Sequence, residues 1–159
     1  MNRQIIHLDL DTFFVSCERL LDRKLQKLPV LIGGTSDRGV VASCSYETRA
    51  YGVHSGMPMR MARLLCPEAV VIRGNSGVYS KFSDMVTDII RESSPVFEKS
   101  SIDEFYIDAT GMDRFFGCYK WAQELRERII DETHLPISFA LSIITGFLKV
   151  GTSESKQNG

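Results

Sequence analysis

Apolar and polar residues alternate over residues 5–10, the period of a strand with one buried face. Residues 78–92 change to helical spacing, which puts Val78, Phe82, Met85 and Ile89 on one face, and Pro95 closes the segment. Residues 96–102 and 105–108 read as two short strands around a tight turn. Asp113 is placed to cap a helix running to about Glu132, with Ala122, Leu125 and Ile129 facing inward. Pro136 opens a last strand, in which Ile137, Phe139 and Leu141 alternate with Ser138, Ala140 and Ser142.

Set aside residues 13–76, and these elements run strand, helix, strand, strand, helix, strand. That order is the ferredoxin-like βαββαβ motif, an antiparallel sheet with two helices, so the fold class is α+β. In this topology the first and third strands are antiparallel neighbours. The inserted stretch carries its own pattern: a helix from Phe13, strand-like runs at 29–32, 40–45 and 70–72, and short helices near Tyr46 and Met59. It reads as a small α/β subdomain inserted at the sheet's edge.

The chain has 159 residues, 43% hydrophobic and 25% charged, enough to bury a core in one domain or in one domain with a large insertion. No apolar run reaches the length that spans a bilayer, and residues 1–10 do not read as a signal peptide, so a cytoplasmic protein without a membrane partner is expected. Net charge is −1, which offers no overall electrostatic footprint for nucleic acid. Cys17, Cys44, Cys66 and Cys118 lie far apart with no Cys-x-x-Cys, and the three histidines do not cluster with them, so buried reduced thiols are expected.

Three carboxylates carry the candidate chemistry. Asp9 closes the first strand, while Asp103 and Glu104 sit at the turn before the third. Singly they read as a helix cap or turn residues. Together, the topology brings all three to one end of the sheet, where carboxylates repel each other unless a cation neutralises them. Hard divalent cations such as Mg²⁺ take oxygen ligands of this kind together with substrate phosphates.

Several strings resemble a known family. His7-Leu8-Asp9-Leu10-Asp11-Thr12-Phe13-Phe14 resembles the opening motif of Y-family DNA polymerases, and residues 100–108 (SSIDEFYID) resemble their second metal-binding motif. Residues 40–53 (VVASCSYETRAYGV), continued by Ser55-Gly56-Met57-Pro58-Met59, resemble their finger motif. Motif order and spacing agree along the whole chain, nearest to the DinB, or DNA polymerase IV, type. The resemblance implies a palm of residues 1–12 and 77–159 and fingers of residues 13–76. It implies template-directed, translesion addition of dNTPs to a DNA 3′ end, with two Mg²⁺ ions (or Mn²⁺) held by Asp9, Asp103, Glu104 and the Leu10 carbonyl. Phe14 matches the steric gate against ribonucleotides. Tyr46 and Arg49 match residues that hold the triphosphate, Ser43 lines the nucleotide pocket, and Lys156 falls where the family has a phosphate-contacting lysine.

Two departures accompany these matches. Ile143-Ile144-Thr145-Gly146 stands where the family often has Asn-Lys, in a stretch whose Gly146 and Gly151 are poor helix formers. Gln157 replaces a usual proline beside Lys156. The family continues into a thumb and a little finger that grip DNA, and this chain ends at Gly159. The resemblance therefore implies a fragment that polymerises poorly alone. It also implies a monomer, with primer-template DNA as partner and a sliding clamp engaged through the C-terminal part. A palm-type nucleotidyl cyclase is a second reading, but it needs a Gly-Gly-rich hairpin where Ser100 and Ser101 stand. A catalytically silent DNA-binding or interaction module is a third, marked by lost carboxylates, and all three are present.

Overall fold

A computed structural model describes residues 2–94, 96–111 and 117–145. The chain divides into two compact units: Met1–Asp11 with Phe82–Gly159, and Thr12–Lys81.

The first unit is built on a four-stranded antiparallel sheet. Its strands are β1 (Asn2–Leu10), β5 (Phe97–Ser101), β6 (Glu104–Asp108) and β7 (Ile137–Thr145), in the order β5-β6-β1-β7. The expected split motif is present: β1 lies between β6 and β7 and runs antiparallel to both. Period-2 alternation decides which face is buried. Ile6, Leu8 and Leu10 of β1 and Phe105 and Ile107 of β6 are buried, while His7, Asp9, Glu104 and Tyr106 take the other face.

Two helices complete this unit. In α5 (Cys118–Thr133) the inward residues are Ala122, Leu125 and Ile129, as their spacing predicts. The Arg126 Nε–H donates to the Ile137 carbonyl at 2.8 Å, which fastens α5 to β7. The Arg128 guanidinium reaches Glu92 Oε1 at 2.5 Å and Ser93 Oγ at 3.1 Å, and so joins α5 to α4 (Ser76–Ser93). The boundary between the two units falls within α4.

The predicted face of α4 is right in part: Ile89 is buried and Val78 and Phe82 are half-buried, but Met85 is 44% exposed, and Ser83, Val86, Thr87 and Ile90 are buried as well. Hydrophobicity missed part of the face because two of its members are hydroxyl residues whose hydrogen bonds are made. Thr87 Oγ1 donates to the Ser83 carbonyl at 2.8 Å, and Ser83 Oγ donates to the Ile102 carbonyl at 2.5 Å. A buried hydroxyl with its bond made costs little, so small polar residues can line a core. The Ser83 bond also ties the helix to the turn that carries Asp103.

The second unit holds a three-stranded sheet in the order β3-β2-β4, formed by β2 (Val30–Gly33), β3 (Val41–Cys44) and β4 (Val70–Ile72). β2 pairs antiparallel with β3 and parallel with β4. Helices α1 (Phe13–Leu21), α2 (Tyr46–Arg49) and α3 (Met59–Leu65) and one 3₁₀ turn (Arg23–Leu25) complete it. Leu31, Val41, Cys44, Val53, Met57 and Met59 form one cluster, and Val15, Leu25, Val30 and Ile32 another. All four cysteines are buried thiols outside any disulfide, and burial pushes the Cys17 thiol up to about 12, where it stays protonated and inert.

The whole-chain charge conceals a division between the units. Residues 12–81 carry ten Lys and Arg against five Asp and Glu, a net of +5, and the remainder carries nine against fifteen, a net of −6. The sum conceals a basic footprint in residues 12–81, while the other unit, at −6, offers none.

Ser83→Ala should cost about 1 kcal/mol, because it removes the hydrogen bond to the half-buried Ile102 carbonyl. Met85→Ala should stay within about 0.5 kcal/mol. Urea unfolding of both variants checks the assignment, and a reversed ranking would contradict it.

Candidate metal centre

Strand register builds the site. Asp9 is the direct partner of Glu104 across the β1–β6 ladder, so their side chains emerge together on the face away from the core. The Leu10 N–H donates to the Asp103 carbonyl at 2.9 Å, and the Asp11 N–H donates to the Pro136 carbonyl at 3.1 Å. These two bonds fix the end of β1 beside the β5–β6 turn. As a result, Asp9, Asp103 and Glu104 each offer a carboxylate oxygen within 4.8 Å of the others. The N-cap of α1 is Thr12, in the left-handed region at φ 39°, and Asp11 Oδ1 accepts from Ser138 Oγ at 3.1 Å.

Neighbouring hydroxyls restrain the acidic pair. Ser101 Oγ donates to Asp103 Oδ1 at 3.0 Å, and Ser100 Oγ lies 3.5 Å from Glu104 Oε2. On the same face His7 stacks on Tyr106, with ring centroids 4.6 Å apart and planes 16° from parallel. The Asp9 carboxyl sits above its ordinary value of 3.8. Burial is the largest cause, followed by the charges of Asp103 and Glu104, while His7 opposes them. Burial and the charges of Glu104 and Asp9 likewise raise the Tyr106 phenol. The site thus concentrates negative charge, which His7 offsets only in part. Its donors are all hard oxygens, which suits Mg²⁺ or Mn²⁺ rather than a softer metal.

The other residues singled out from the sequence belong to the second unit. Phe14 is half-buried and lies flat on Tyr79, with centroids 4.5 Å apart and planes 14° from parallel. Tyr79 is itself held, since its hydroxyl donates to Glu18 Oε2 at 2.5 Å, and burial and that carboxylate raise its pKa. Phe13, one residue earlier, is the buried core aromatic. Tyr46 and Arg49 are exposed at the two ends of α2, with the Arg49 guanidinium 4.8 Å from the centre of the Tyr46 ring. Ser43 is half-buried on β3, opposite Ile32. Pro95, Asp113, Lys149 and Lys156, with the stretch after Thr145, lie outside the described residues. Tyr79 and Ser83 were not singled out from the sequence. Each stands one residue after a position of the apolar face read from the sequence, Val78 and Phe82, which is why neither stood out.

A raised Asp9 pKa has a definite sign for stability. Between pH 3.8 and the raised value, the folded chain holds a proton that the unfolded chain has lost. Stability therefore falls as pH rises through that window, and the deficit is complete above it. Asp9→Asn should raise the cation-free melting temperature at pH 7 and flatten its dependence on pH. The same variant should lose stabilisation by added Mg²⁺. Thermal melts across pH, with and without Mg²⁺, measure both effects, and a lower cation-free melting temperature for Asp9→Asn would contradict the strain assigned to this carboxylate.

Comparison with known proteins converges on one family. Residues 8–146 match the impB/mucB/samB family. The chain is 40% identical over 159 residues to DNA polymerase IV of Dehalococcoides mccartyi strain 195, covering 99% of this chain and 41% of that protein. It is 39% identical over 154 residues to DNA polymerase IV of Treponema denticola, covering 96% of this chain and 39% of the relative. Against DNA polymerase IV of Staphylococcus aureus strain Newman the identity is 40%, over 99% of this chain and 45% of the relative. The chain thus spans about two fifths of the length of the curated relatives it matches. Among solved structures, DinB from Sulfolobus solfataricus and an insertion ternary complex of Dbh DNA polymerase each superpose with a TM-score of 0.82. Both are 26% identical, over 87% of this chain and 42% of the other. With its motifs, its antiparallel α+β fold and its relatives in agreement, the chain belongs to the impB/mucB/samB family of Y-family DNA polymerases.

Proposed function

We propose that this chain is the catalytic part of a DNA-directed DNA polymerase that adds dNTPs to a DNA 3′ end, copying damaged templates. The observation that carries this reading is the convergence of Asp9, Asp103 and Glu104 in a chain of this family. In this reading the three carboxylates, with the Leu10 carbonyl, hold two Mg²⁺ ions, with Mn²⁺ as a substitute. Bound there, the ions supply charge neutralisation at the phosphates and activation of the 3′-hydroxyl. No covalent intermediate with the protein is needed, so positioning and electrostatics are the chain's own contribution.

The second unit supplies the nucleotide contacts and acts as the fingers, while the first is the palm. Arg49 binds phosphate oxygens through its fork and Tyr46 through its hydroxyl, Ser43 lines the base pocket, and Lys156 adds a point charge. Phe14 is the steric gate: its ring leaves no room for a 2′-hydroxyl. The stack on Tyr79 supports that role, because a ring pinned on one face cannot swing aside to admit a larger sugar. Primer-template DNA is the macromolecular partner, and the +5 charge of residues 12–81 suits phosphate. DNA repair in the cytoplasm as a monomer, with a sliding clamp engaged through segments beyond the matched part, completes the reading. Among the described residues no helix is long and apolar enough to cross a membrane.

Labelled dNTP should bind the 159-residue chain in the presence of Mg²⁺. Asp103→Ala should weaken that binding by about tenfold or more, the scale of a lost charge-assisted contact. Primer extension by the chain alone should stay near background, since duplex affinity accumulates phosphate by phosphate. Nucleotide binding indifferent to both Mg²⁺ and Asp103 would reject the reading.

Phe14→Ala should lower the preference for dNTP over the matched ribonucleotide by at least tenfold, the scale of removing one steric conflict of about 1.4 kcal/mol. Competition binding with the two sugars measures the ratio, and an unchanged ratio would reject the gate.

A further inference from the structure

We infer that His7 is the positioning residue for Glu104: its Nε2–H donates a hydrogen bond to Glu104 Oε2 once a divalent cation is bound, leaving the other carboxylate oxygen for the ion. The inference rests on the metal reading above and extends it to a residue outside the ligand set.

The observation behind it is an unsatisfied atom. Among the described residues, the buried Nε2 of His7 has no hydrogen-bond partner. Native proteins rarely leave such a group unsatisfied without a reason. The closest acidic atom to it is Glu104 Oε2, at 3.7 Å, which is beyond hydrogen-bond range. Closing that gap needs a movement of less than about 1 Å.

The imidazole is not the group that moves. It is clamped by its stack on Tyr106, its register partner on β6, and it is also paired through the backbone with Ala140 on β7. Glu104 is the adjustable member, with a side chain 41% exposed and only a 3.5 Å contact from Ser100 Oγ on the same oxygen. Without a cation, repulsion from Asp9 gives the Glu104 carboxylate no reason to settle inward. With the other oxygen held by a cation, Glu104 would be fixed and its Oε2 could accept from His7 Nε2, in the tautomer that carries its proton there. Outer hydrogen bonds of this type orient metal-binding carboxylates, and losing one typically weakens metal affinity by about 10–100-fold.

The test uses the 159-residue chain with Mn²⁺ as probe, its free concentration read by electron paramagnetic resonance. His7→Phe keeps a ring to stack on Tyr106 but removes the N–H. It should bind Mn²⁺ about 10–100-fold more weakly, with a cation-free melting temperature no lower than that of the starting protein. In a Glu104→Ala background, His7→Phe should cause no further loss. A second measurement needs no variant at His7. With ¹⁵N-histidine labelling, Mg²⁺ should bring out a slowly exchanging Nε2–H resonance that is absent from Glu104→Ala. Equal Mn²⁺ affinity of His7→Phe and the starting protein, or an Nε2–H resonance indifferent to Mg²⁺, would overturn the assignment while leaving the metal site intact. If the starting protein binds no Mn²⁺ at all, the metal reading fails and the role of His7 fails with it.

Discussion

Three carboxylates are forced together at one end of an antiparallel sheet, and their repulsion is the constraint around which the first unit is arranged. The register that opposes Asp9 to Glu104 is the same register that buries Leu8 against Phe105, because the ladder sets both faces at once. A slip of one residue would place the acids in the core. The apolar face therefore supplies the energy that holds the charged face in a configuration it would not adopt alone. Strain of this kind, concentrated where charge is to be met by a ligand, is how functional sites commonly depart from the stability optimum.

The turn between β5 and β6 is secured from several directions. Ser83 holds the Ile102 carbonyl from α4, the Leu10 N–H holds the Asp103 carbonyl from β1, and Ser101 holds the Asp103 side chain. Backbone and hydroxyl groups do this work rather than cations. A Lys or Arg at the same place would neutralise the carboxylates and compete with a divalent ion. The arrangement keeps the negative charge available while fixing its position.

Much of this was legible in the sequence, and the reasons are physical. A period-2 run ending in Asp9 and a second motif at Asp103-Glu104 locate the strands, and antiparallel geometry then brings the acids together. The elements of the second unit also follow from short apolar runs separated by turn residues. What escaped the pattern depends on hydrogen bonds rather than hydrophobicity. The α4 face was read only in part, because Ser83 and Thr87 are buried as satisfied hydroxyls beside Ile89. The start of α1 at Phe13 was legible, but not that its N-cap is a left-handed Thr12. The charge division was hidden because +5 and −6 nearly cancel. His7 looked like one polar position of an alternating strand, and nothing in the pattern shows that its Nε2 is buried without a partner among the described residues.

The central claim is that Asp9, Asp103 and Glu104 form one divalent-cation site. Anomalous diffraction from crystals of the chain grown with Mn²⁺ and a dNTP tests it most directly. The account predicts anomalous density between the three carboxylates, within about 2.0–2.6 Å of an oxygen from each, the range of hard-cation ligation. Manganese ligated elsewhere, with the three carboxylates turned apart, would contradict it.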